Sequence, residues 1–205
     1  MAFISDETLV LRYLEKGDQR AFRTLVERHQ DRVFGYLVGM VRDRNVANDL
    51  FQDTFLRVIS AMQKSRASYT HDGRWLSWVM RIARNASLDY LRSRKKWQDV
   101  SPDPGDEDAP SFWDRLPDGD YQLADIGMHA YERNAFLESC IAKLPPEQRE
   151  VLLLRHDAEL TFREIAEMTD VSINTALGRM RYALINLRKM MQAAGKSELT
   201  EYGTL

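Results

Sequence analysis

Two stretches of the chain set basic residues at helical spacing, a pattern that can hold nucleic-acid phosphates and base edges. From about Trp75 to Lys96, a helical wheel puts Arg81, Arg84, Asn85, Leu88, Arg92 and Lys95 on one side. Trp75, Val79, Ile82, Ala83, Ala86 and Tyr90 form the opposite, core stripe. The basic side continues into Arg94 and Lys96, and only Asp89 lies near it. A solubilising face would intersperse acids, whereas an unbroken basic stripe can track phosphates, with an affinity that falls as salt rises. Just before it, Gln63 to Arg74 carries Lys64, Arg66, Tyr69, His71 and Arg74. An aromatic residue among bases suits an unstacked base or a single strand, although this loop alone is a weak signal.

The second stretch spans 161–191. Thr161 and Glu164 have the spacing of a capping box, in which hydroxyl and carboxylate each satisfy a free backbone donor. A short helix is predicted to follow through Ile165, Ala166 and Met168, and to turn at Asp170, which tolerates the left-handed conformation. Ser172 is a good N-cap for a further helix. That helix repeats Ala176, Met180, Ala183, Leu184, Leu187 and Met191 as a buried stripe. Its other face presents Asn174, Thr175, Gly178, Arg179, Arg181 and Tyr182. Cap, turn and stripe together describe a helix-turn-helix, whose second helix enters the major groove. There its arginines can reach guanine edges or phosphates. An ordinary helical hairpin with a solvated polar face is the plainer alternative.

A third helix, from about Val46 to Met62, buries Phe51, Phe55, Val58, Ile59 and Met62. Its other face shows Asp49, Gln52, Asp53 and Ser60, with Leu56 in their midst. A leucine ringed by acids and amides suits a docking surface. A stray exposed leucine is equally ordinary, and spacing leaves the two readings level.

Elements of two kinds must position these residues. Net charge is −2 overall, but residues 1–98 carry +7, residues 99–125 carry −8 and residues 126–205 carry −1. The acidic stretch also holds Pro102, Pro104, Pro110 and Pro117, which marks it as an extended tether. Phe112, Trp113 and Leu116 form a small apolar island within it. Pro145 and Pro146 open a new helix beyond it. No strand-like alternation of any length occurs. The predicted fold is all-α: two small helical domains joined by an acidic, Pro-containing linker, with a C-terminal helix-turn-helix. The expected boundaries are 1–98, a linker over 99–128, a second domain over 129–192 and a tail over 193–205.

Several classes are set aside. Cys140 is the single cysteine, so an intrachain disulfide or a site of several thiolates is ruled out. The histidines at 29, 71, 129 and 156 never stand at ligand spacing. No nucleophile–base pair or phosphate-cradling glycine loop appears, so neither an enzyme nor a cofactor is expected. The start of the chain is unlike a signal peptide, and no apolar run approaches the roughly 18 residues that span a bilayer. The expected location is the cytoplasm, without membrane insertion.

Three runs, taken in order, resemble a known family. Ala47-Asn48-Asp49-Leu50-Phe51-Gln52-Asp53-Thr54-Phe55-Leu56-Arg57-Val58 looks like the core-polymerase-binding helix of sigma-70-type factors. Arg74-Trp75-Leu76-Ser77-Trp78-Val79-Met80-Arg81-Ile82-Ala83-Arg84-Asn85, on to Asp89-Tyr90-Leu91-Arg92, is similar to their promoter-melting and −10-reading segment. Leu144-Pro145 with Arg149-Glu150-Val151, then Glu164-Ile165-Ala166-Glu167, resembles their −35-binding domain. With no room for the middle domain of larger members, the resemblance is to the extracytoplasmic-function subgroup. Asn48 stands where Glu is frequent. Asn174, Ala176, Gly178 and Tyr182 depart from the usual recognition helix, while Thr175 and Arg179 match it.

The resemblance implies a promoter-specificity subunit with core RNA polymerase and promoter DNA as partners, and it leaves open an anti-sigma factor. Asp49, Gln52, Asp53, Leu56 and Arg57 would hold the polymerase. The −10 contacts would come from Lys64, Arg66, Tyr69, Arg74, Trp75, Trp78, Arg81, Arg84, Asn85, Leu88, Arg92 and Lys95. The −35 contacts would come from Ser172, Asn174, Thr175, Gly178, Arg179, Arg181 and Tyr182. The acidic linker would thread toward the active centre and the RNA exit path. The competing reading is a stand-alone helix-turn-helix regulator whose N-terminal domain senses a ligand or a protein. The basic Trp/Arg helix favours the first.

Overall fold

The computed structural model describes residues 4–64, 74–100 and 135–194, with side chains described to Gln63 in the first segment and to Lys96 in the second. Among them are eight helices and no strand: α1 (Asp6–Lys16), α2 (Gln19–Val41), α3 (Arg44–Lys64), α4 (Trp75–Val100), α5 (135–142), α6 (Pro146–His156), α7 (Phe162–Thr169) and α8 (Ile173–Ala193). The acidic linker, the loop with Arg66, Tyr69 and His71, and the tail beyond 194 lie outside the described residues.

Local chemistry sets most helix ends. Ser5 caps α1 by accepting from the Thr8 amide, and Gly17 stops it at φ 64°. Asp18 accepts from Arg20 and Ala21 to start α2, and Asp43 does the same for α3 from Asn45 and Val46. Pro146 occupies the first turn of α6, where its missing N–H costs nothing. Thr161 and Glu164 form the predicted capping box at α7. Asp170 ends that helix at φ 55°, and the Ser172 hydroxyl caps α8 through the Thr175 amide.

In the N-terminal half, α2 packs on α1, α3 and α4. Val10, Leu25, Leu37, Val58, Trp75 and Val79 are buried there. In the C-terminal half, α6 and α7 pack on α8. The larger apolar core runs from one half into the other, taking in Val151, Leu154 and Ile165. A smaller core of Cys140, Leu144, Leu152, Ala183 and Leu187 belongs to the C-terminal half alone.

The two halves therefore pack directly, α2 against α6. The approach is close. A Cβ on Gly39 would stand 2.6 Å from a Leu153 methyl, so glycine is what lets this leucine seat. Tyr36 of α2 is wholly buried; burial, then the Glu150 carboxylate, raise its pKa above the ordinary phenol value.

Two sequence expectations are corrected. Leu184, assigned to the buried stripe of α8, is 51% exposed, because α8 packs on α6 through Ala183 and Leu187 while Leu184 points away. Trp75, placed among the DNA-contacting residues, is 1% exposed and lies 5.4 Å, ring to ring, from His29. It anchors the start of α4 in the core and can serve that helix only by positioning it.

Candidate nucleic-acid and polymerase interfaces

Three surfaces emerge from these helices. On α3, packing of Phe55, Val58 and Met62 against α2 and α4 fixes which face turns outward. Leu56 is 66% exposed on that face. Asp49 and Gln52 are exposed beside it, and Arg57 reaches Asp53 at 2.8 Å one turn back. The result is an apolar knob within a ring of mixed charge.

On α4, burial of Trp75, Val79, Met80, Ala83 and Ala86 turns the basic stripe outward. Arg81, Asn85, Arg92 and Lys95 are exposed, Arg92 reaching Asp89 at 3.3 Å. Trp78 and Leu88 are half-buried at the edge of the stripe. The N-terminal end of this face is occupied. Arg74 meets Glu167 at 2.9 Å, Ser77 donates to Glu164, and Arg84 Nε donates to Glu150 Oε1 at 2.7 Å. Burial pushes the Glu164 carboxyl up, but hydrogen bonds from Ser77 and Thr161 and the charge of Arg74 outweigh it, leaving the pKa below its usual value. Lys64 closes α3, while Arg66 and Tyr69 fall outside the described residues.

On α8, Ser172, Asn174 and Thr175 are exposed at the N-terminal end, where a recognition helix meets base edges. Gly178 and Arg179 are half-buried, and Tyr182 is 60% exposed. Arg181 is exposed as well. With Phe162, Leu177, Leu184, Ile185 and Arg188 it lines an open groove of about 500 Å³. The sequence reading missed this apolar strip because it put Leu184 in the core. It also missed Glu150, Glu164 and Glu167 as partners of α4, since nothing local links residues that far apart in the chain.

No group of His, Cys, Asp and Glu among the described residues could hold a metal ion. Likewise, no described helix is long and apolar enough to cross a membrane.

Comparison with known proteins follows the same division. Residues 25–97 match the family model for sigma-70 region 2, which covers α3 and almost all of α4. Residues 137–182 match that for sigma-70 region 4, which covers α6, α7 and the first half of α8. The chain is 30% identical to RNA polymerase sigma-H factor of Pseudomonas aeruginosa, over 91% of this chain and 94% of the relative. It is 32% identical to the ECF RNA polymerase sigma factor RpoE of Cereibacter sphaeroides, over 85% of this chain and 88% of the relative. Its fold matches that of CnrH, solved in complex with the cytosolic domain of CnrY, at a TM-score of 0.65 and 22% identity, covering 93% and 99% of the two chains. The chain belongs to the sigma-70 family of RNA polymerase sigma factors, in the extracytoplasmic-function subgroup.

Proposed function

We propose that this sigma factor holds core RNA polymerase through α3, takes the −10 element with α4 and reads the −35 element with α8. One observation carries the reading: the matches to regions 2 and 4 fall in this order along the chain, the first on α3 and α4 and the second on α6, α7 and α8. The α3 surface has the make-up of a protein-docking site, an exposed leucine rimmed by Asp49, Gln52, Asp53 and Arg57. The α4 surface supplies Arg74, Arg81, Arg84, Asn85, Arg92 and Lys95 for phosphates and unpaired bases, with Trp78 and Leu88 as apolar neighbours. The α8 surface offers Ser172, Asn174, Thr175 and Arg179 toward a major groove.

Each DNA contact is small. Held on one polymerase, each raises the effective concentration of the other, and the pair selects a promoter that neither would hold alone. Catalysis stays with the polymerase, the chain acts in the cytoplasm as a non-enzymatic factor, and an anti-sigma protein is a further partner class. Co-purification with core polymerase, followed by promoter-specific run-off transcription, tests the proposal. A chain that binds DNA and activates transcription without joining the polymerase would be a stand-alone regulator instead.

A further inference from the structure

One face of α8 is apolar and uncovered. Leu177, Arg181, Leu184, Ile185 and Arg188 recur at helical spacing, so they share that face, and Phe162 of α7 walls it. Leu184 is 51% exposed and Leu177 44%, as is Ile173 one turn nearer the start of the helix. The residues that pack α8 into the smaller core, Ala183 and Leu187, lie on another side. Two guanidiniums edge the strip, Arg188 toward its C-terminal end and Arg181 near its middle, and no described carboxylate pairs with either. Such a groove suits an extended segment with spaced apolar side chains and acids beside them.

We propose that this groove seats residues 195–205 of the same chain, running back along α8 from Gly195. Register selects this occupant. The segment, outside the described residues, sets Leu199, Tyr202 and Leu205 three apart, and Glu198 and Glu201 three apart. An extended chain with about three residues per turn and a rise of about 3.1 Å puts the apolar trio on one edge and the acids on the next. Counted from Gly195, Glu198 then lies about 9 Å along and Glu201 about 19 Å. Arg188 and Arg181 lie about 10 Å and about 21 Å back from the same point, at about 1.5 Å per helical residue. By the same count Leu199 reaches Ile185, Tyr202 falls between Leu184 and Leu177, and Leu205 comes over Ile173. Glycine directly after the Ala194 cap can take the left-handed conformation that turns a chain back from a helix end. So short a tether gives the segment an effective concentration of about millimolar, and weak contacts suffice. A second copy fits less well, since a stable dimer engages about 20–30 residues a side and this strip supplies far fewer.

The test is amide relaxation and methyl chemical shifts measured on the full chain. Backbone order parameters across 197–203 should be about 0.8 in the parent, against below about 0.6 for a free tail. Leu184→Glu, a change at an exposed position that folding tolerates, should drop them to the free value. Arg188→Glu should also release the tail, and adding Glu198→Arg to it should restore the order. Stopping the chain after Ala194 should shift the Leu177 and Ile185 methyls and leave those of Leu144 and Leu152, in the smaller core, where they are. A parent tail with order parameters below about 0.6 overturns the proposal. So does an ordered tail indifferent to Leu184→Glu, a charge exchange that fails to restore order, or a truncation that moves no groove methyl. Order that disappears when the parent is diluted tenfold assigns the groove to a second copy, and overturns the proposal as well.

Discussion

His29 of α2 and Asp6 of α1 meet at 2.7 Å between Nε2 and Oδ2, with the imidazole 5% exposed and packed on Trp75. Burial lowers the pKa of the ring below 6.5; Asp6 pulls the other way by charge and hydrogen bond, while Arg32 and Arg28 add to the lowering. The folded state thus holds a neutral imidazole that the unfolded chain would protonate more readily. Stability is unaffected well above pH 6.5 and falls as pH drops from there toward the depressed folded pKa, by at most about 1.4 kcal/mol per pH unit. Thermal melts between pH 8 and pH 5 should show this loss, and His29→Gln should flatten it. An identical pH slope in the variant would remove His29 as its source.

Leu56→Arg should weaken binding to core polymerase roughly fivefold or more, the loss typical of a central interface residue. Leu56 is 66% exposed, so folding stability should change by less than about 0.5 kcal/mol. A pull-down alongside circular dichroism checks both. Equal affinity for mutant and parent would mean that the leucine is only a stray surface residue.

Arg179→Ala should reduce dependence on the −35 element, and Arg92→Ala dependence on the −10 element. Arg179 is half-buried on α8, while Arg92 is exposed on α4. A lost base contact costs about 1–3 kcal/mol and relaxes specificity at one position, whereas a lost phosphate contact weakens binding almost uniformly and lowers the salt slope by about one. Transcription from promoters with exchanged elements separates the two. If both variants fail on the same element, the division of labour between the helices is wrong.

The linker, outside the described residues, carries a net charge of −8 over residues 99–125. Replacing Asp103, Asp106, Glu107, Asp108, Asp114, Asp118 and Asp120 by Asn or Gln at constant length should alter abortive-transcript yields and weaken the holoenzyme. An acidic strand is drawn into any channel that attracts RNA. Unchanged initiation and unchanged holoenzyme affinity would reduce it to a soluble tether.

The helix-turn-helix was legible in sequence because its signals are local. Thr161 with Glu164, Asp170 and Ser172 each act within four residues, and each does in the structure what its chemistry predicts. The outward faces of α3 and α4 were legible for a related reason: helical period alone separates Leu56 from Phe55 and Val58. The pairing of Arg84 with Glu150 was not, because 66 residues and an acidic linker separate them. Helices α1 and α2 carry no motif of the kind that identified the others, although Ser5 and Gly17 mark the limits of α1. Leu184 was misassigned because a period-based stripe widens when small residues flank it. Only the position of α6 shows that Ala183 and Leu187 are the inward pair.

The smaller core gives the C-terminal half a clock of its own. Cys140 is 2% exposed between Leu144 and Leu152, and the chain contains no other thiol. An alkylating reagent can reach it only when that core opens, so the labelling rate under native conditions reports local unfolding of this half. Parting of the two halves leaves the Cys140 core closed and should not speed the reaction. One unmodified cysteine thus distinguishes a C-terminal half that has let go of its neighbour from one that has begun to melt.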